Sequence, residues 1–182
     1  MSFVAVFCIK KNGDVVTYSE AHNNHAGAPL IWRKMIELYC LPEMNWASEE
    51  CIDPLFTESN FEKYSREHKI LLLSTCDRVW IKREIISELI TTYRNFHNQF
   101  VRDKYVDTVN QLATIVEKWY SEYKSDIGIA FNMCSAITPF WYCGTSKPRP
   151  YNVFKDKKQR SCEYIGKGAW ELSEHMRERG WL

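Results

Sequence analysis

Two histidines three residues apart, His22 and His25, stand in the run E-A-H-N-N-H-A-G-A-P from Glu20 to Pro29. On an irregular loop, imidazoles at that spacing can converge on a metal ion or offer hydrogen bonds to an anion. A zinc site needs four protein groups, or three and a water. Only Glu20 is at hand locally, and Cys134 or Cys143 would have to come from far along the chain. The donor count argues against a metal site, and no cofactor is expected. An anion is the better match, because the loop precedes an expected helix whose first N–H groups carry partial positive charge, and Asn24 adds donors. The phosphate-cradling spacings G-x-x-x-x-G-K-[ST] and G-x-G-x-x-G are missing. A plainer reading takes the asparagines, Gly27 and Pro29 as turn chemistry between a strand and a helix, which leaves only the two rings unexplained.

A second concentration of chemistry runs from Pro139 to Arg160. Phe140, Trp141, Tyr142, Tyr151 and Phe154 interleave there with Lys147, Arg149, Lys155, Lys157, Lys158 and Arg160. Aromatic rings among cations suit single-stranded nucleic acid, by stacking and phosphate contact, and equally suit a protein hot spot. The bland alternative is a loop whose rings fold back onto the core beside a solvated basic run. Cys143 precedes Gly144 in this stretch, and Lys147 and Arg149 would lower its thiol pKa if they lay close. A half-buried thiol beside Trp141 is the simpler expectation. No G-x-S-x-G, S-x-x-K or H-E-x-x-H occurs, so no catalytic residue is assigned.

The whole chain sets the frame for these residues. At 182 residues it can bury a core without disulfide or metal staples. Seven Trp, ten Tyr and nine Phe exceed what such a core takes fully inside, so some rings are expected at the surface. Twenty-four Lys and Arg against twenty-three Asp and Glu leave a charge of +1, which disfavours a nucleic-acid backbone as the main partner. The charge is uneven: residues 41 to 68 carry a net −5 and residues 147 to 160 a net +5. Seven scattered cysteines without a C-x-x-C pair look like reduced thiols of an intracellular protein. The short apolar start lacks a basic n-region, and no window reaches the ~18 apolar residues of a membrane span. A cytoplasmic chain without membrane partners is expected.

The elements that must position these residues follow from periodicity. F-V-A-V-F-C-I-K and V-V-T-Y-S-E flank Asn12-Gly13, a hairpin signal requiring positive φ in the turn. Ile31, Trp32, Met35, Ile36 and Tyr39 predict a helix from about Pro29 to Cys40, and the acidic stretch to His68 predicts short turns and loops. H-K-I-L-L-L-S-T-C-D-R-V-W-I-K is β-like on both sides of Thr75 to Asp77, as a hairpin or one bent strand. Two amphipathic helices follow from about Arg83 and Tyr105, then a strand over Ile127 to Ala136. The proline-rich 139 to 151 stretch is expected to form no regular element, and a short helix ends near Gly180. The expected fold is α+β, one domain over 1–182. A small, mostly antiparallel sheet combines the hairpin with strands near 69–82 and 127–134, against three or four helices.

The function expected from these features is non-enzymatic: recognition, and inhibition by occlusion, of another macromolecule. Immunity proteins and phage-encoded inhibitors of bacterial defence typify that class. Another protein is the favoured partner over nucleic acid. Its anchors would be Trp141, Tyr142, Lys147, Arg149 and Tyr151, with the acidic stretch as the alternative surface for a basic partner. The competing expectation is a small-ligand or nucleotide site, or an enzyme, built on His22, Asn24 and His25 with Asp77 and Arg78 at a strand end.

Overall fold

The computed structural model describes residues 2–23, 27–42, 53–76, 79–100, 108–132, 142–143, 149–156 and 166–180. Strands β1 (Ser2–Ile9) and β2 (Val15–Asn23) form the expected hairpin. Its turn closes by bonds from Gly13 N–H to the Lys10 carbonyl (2.8 Å) and from Lys10 N–H to the Asp14 carbonyl (2.9 Å). Positive φ falls on Gly13 (88°), while Asn12 contributes its side-chain oxygen to Asp14 N–H at 3.1 Å. That is the three-residue loop with glycine in the left-handed position.

Helix α1 (Ala28–Tyr39) has Pro29 in its first turn and ends at Cys40, which adopts φ 50° and returns its N–H to the Ile36 and Glu37 carbonyls. A single 3₁₀ turn (Asp53–Phe56), the one-turn helix α2 (Glu58–Phe61) and α3 (Arg66–Ser74) follow. The strand expected over 69–74 is therefore a helix. Ser65 caps it, accepting the His68 N–H at 3.2 Å. Ile70, Leu71, Leu72 and Leu73 are all buried because α3 lies among α1, α4 and α6. A helix enclosed on every side shows no polar face, and so its sequence imitates a buried strand. Ser74 and Thr75 end it by donating their hydroxyls to the Leu71 (2.6 Å) and Leu72 (2.7 Å) carbonyls.

Among the described residues of that stretch only Trp80–Lys82 is strand, β3. A 3₁₀ turn then leads into α4 (Ile86–Phe100), which packs against α5 (Thr108–Glu122), both at their predicted places. Strand β4 (Gly128–Asn132) runs between β1 and β3, giving the antiparallel order β2-β1-β4-β3. The two-residue strands β5 (Tyr142–Cys143) and β6 (Arg149–Pro150) pair with each other inside the proline-rich stretch, where no regular element was expected. Helix α6 (Gly166–Glu178) follows. The fold is α+β, with six α-helices rather than three or four among the described residues.

Strand alternation sorts the sheet into two faces. Val4, Val6, Cys8, Ile81, Ile129 and Phe131 face the helices and join one large core with Tyr93, Trp119 and the leucines of α3. Phe7, Ile9, Val15 and Ala130 form a second, smaller core with Tyr151 and Val153, flanked by Ala5, Trp80 and Ile127. Gly128 permits this on β4: a Cβ there would lie 2.4 Å from the Trp80 ring.

Candidate functional site

Residues 151–156 form a short strap over the second face of the sheet. It is stitched to the hairpin turn by bonds from Val15 N–H to the Tyr151 carbonyl and from Val153 N–H to the Gly13 carbonyl, both 2.9 Å. Between them Asp14 and Asn152 make a single antiparallel bridge. Asn152 uses its whole side chain. Its amide donates to the Asn12 carbonyl (3.0 Å) and Asp14 Oδ1 (2.8 Å), and its oxygen accepts from Phe154 N–H (3.0 Å) and Lys155 N–H (3.1 Å). Asp156 accepts Asn152 N–H at 2.8 Å, and the Tyr151 hydroxyl donates to the Asp156 carbonyl at 2.8 Å. The strap's buried polar groups are thus bonded within the loop and its neighbours, which suits a rigid platform rather than proton transfer.

On that platform Phe154 is 49% exposed beside exposed Lys155. Tyr151, expected as a surface anchor, is 1% exposed and belongs to the second core, so it supports the surface from beneath. Its ring has apolar neighbours and its hydroxyl a backbone acceptor, the condition for burying a tyrosine. The backbones of Tyr142 and Arg149 sit in the β5–β6 pair, whose last residue adjoins Tyr151. Trp141 and Lys147 lie outside the described residues, as does the 43–52 part of the acidic stretch.

The competing site is only partly within view. The His22 backbone pairs with Phe3 near the end of β2, while Asn24, His25, Asp77 and Arg78 lie outside the described residues. β2 and β3, the strand that follows Asp77 and Arg78, occupy opposite edges of the sheet. Three strand spacings separate those edges, about 14 Å. The helix beginning at Ala28 has no side-chain cap and no acid in its first turn. Among the described residues no cluster of three or more His, Cys, Asp or Glu is placed to hold a metal ion.

One concavity escaped the sequence altogether. A cleft of about 390 Å³ between α3 and α4 is bordered by Arg66, Ser87, Glu88 and Thr91, and a hollow of about 190 Å³ beside it by His68, Phe96, Gln99 and Phe100. The two share Glu67, Thr92 and Asn95. The polar groups on their walls are already paired: Asn95 donates to Glu67 at 2.8 Å, and Arg66 grips both oxygens of Glu88 (2.7 and 2.9 Å). That bond holds the Glu88 carboxyl below, and the Arg66 guanidinium above, their ordinary pKa values.

His68 is tied to the end of α1. The Tyr39 oxygen accepts Ser65 N–H (3.2 Å) and lies 2.6 Å from His68 Nδ1, a contact in which either group can donate. Burial lowers the His68 pKa, against a weaker opposing pull from Glu67. The signal that could have placed His68 is Ser65, three residues ahead of it, as a helix cap. Compared with known proteins, the chain matches no family model, no curated protein and no solved structure.

Proposed function

We propose that the chain is a non-enzymatic binding protein that recognises another macromolecule, a protein first of all, and acts by occluding it. The segment from 139 to 160 is its contact surface. The observation that carries this reading is the strap, in which a fully bonded Asn152 and a buried Tyr151 hold Phe154 and Lys155 outward over the sheet. A preformed aromatic and basic surface loses little conformational entropy on binding. Trp141, Tyr142, Lys147 and Arg149 flank it in sequence and are the residues expected to reach the partner. An immunity protein or a phage inhibitor of bacterial defence would work in this way. No helix among the described residues is long and apolar enough to cross a membrane, and a macromolecule in solution is the partner proposed.

The experiment is affinity capture from host lysate with the wild type, a Trp141→Ala/Arg149→Ala double variant and a Phe154→Ala variant. The reading expects one protein held by the wild type and lost, by tenfold or more in affinity, from both variants. Equal retention by all three would remove this surface from the function.

A small anionic ligand at His22, Asn24 and His25 is the second reading, favoured by the place of that run just ahead of α1, whose first turn holds no acid. A thermal-shift series with inorganic phosphate and nucleotides, on wild type and His22→Ala/His25→Ala, decides it. Stabilisation of the wild type alone supports the loop, and a flat series leaves it structural.

A further inference from the structure

Lys69 on α3 is 2% exposed, and its Nζ lies 3.1 Å from Nε2 of His175 on α6. An ammonium can only donate, so the imidazole must accept with a bare nitrogen. The ring is then neutral, with its proton on Nδ1, which is 4.0 Å from Glu62 Oε1. Glu62 is also paired with Arg179, and the Phe61 ring lies 5.6 Å from the imidazole. The charged groups facing His175 are thus Lys69 from α3, Glu62 from the end of α2, and Arg179 and Glu178 from the end of α6 itself.

A second proton on this pair would set two cations 3.1 Å apart in a site largely closed to water, with Glu62 already shared. Burial first, then Lys69 and Arg179, make the ring reluctant to take that proton. Beside these charged contacts, α6 is held by apolar packing. Leu172 and Met176 are fully buried against the main core, and among the described residues α6 packs chiefly on the 53–56 turn, α2 and α3.

We propose that α6 is an acid-released latch, closed by the contact of a neutral His175 with the buried ammonium of Lys69. Lowering the pH charges the imidazole, breaks that contact and lifts the helix. The apolar surface under Leu172 and Met176 is then uncovered while the sheet stays intact.

Hydrogen exchange of the full chain, corrected for intrinsic rates, reads this directly at the amides of 172–178. From pH 7.5 to pH 5 the opening of α6 should increase on the order of tenfold relative to the amides of β1 and β4. His175→Gln keeps an acceptor that does not titrate, and Lys69→Met removes the opposing cation. Both should flatten the pH dependence. The wild-type His175 ring, titrated by NMR, gives a reading independent of either variant's folding. A ring pKa at or above the ordinary histidine value, unchanged α6 exchange across the range, or the full wild-type pH step in His175→Gln would each overturn the latch.

Discussion

Asp126 shows how much a single side chain can hold. It is buried beyond the end of α5 and receives Lys10 Nζ on both oxygens (3.0 and 3.1 Å) and the Trp119 indole N–H at 3.2 Å. Lys10 also lies 5.3 Å from the Tyr123 ring centre, so β1, α5 and the loop before β4 meet at one carboxylate. Desolvation works to lower the Lys10 pKa, but the bond to Asp126 and the neighbouring charges outweigh it, and the net shift is upward. Asp126→Asn keeps the shape and one acceptor but removes the charge. The expected cost is about 1–3 kcal/mol, seen as a lower urea midpoint at unchanged slope. A midpoint equal to the wild type would mean that the carboxylate ties nothing together.

At the scale of elements, two positions set how the parts begin and join. Ser65 starts α3, and Ser65→Ala should cost about 1 kcal/mol by calorimetry or denaturant, with the helix retained because its leucines are enclosed. Gly13 couples the hairpin to the strap. Its φ of 88° strains any side chain, and a Cβ there would sit 2.5 Å from the Phe154 ring. Gly13→Ala should therefore destabilise by roughly 1–3 kcal/mol and free the strap, raising exchange at Val153 N–H. Unchanged protection at Val153 would separate the turn from the strap. If the strap is the contact surface, Gly13→Ala should also weaken capture without altering any contact residue.

Across the whole molecule, acid is the expected weakness. The folded pKa values of His68 and His175 both lie below the ordinary 6.5 of an unfolded chain, burial being the largest cause for each. Unfolding then takes up protons that the folded state refuses. Stability from this source is complete above about pH 6.5 and is lost as pH falls through the lower folded values, by roughly 1.4 kcal/mol per unit of depression. Urea unfolding at pH 7.5, 6.5 and 5.5 should give stability that falls mainly between the last two, and part of the fall should vanish in His175→Gln. A flat profile would show that neither ring resists its proton in the fold.

Local and short-range features were legible in the chain. The Asn12-Gly13 hairpin, the amphipathic stripes of α1, α4 and α5, and the apolar run of β4 announce themselves because period and turn chemistry are properties of neighbouring residues. The antiparallel α+β class follows from them. What only the tertiary structure decided depends on enclosure. Ile70 to Leu73 could be strand or helix until three helices surrounded them, and Tyr151 could be anchor or core until the second face of the sheet took it. Lys69 and His175, 106 positions apart, carry no mutual signal in sequence, since a contact between distant residues exists only once the layers between them have packed.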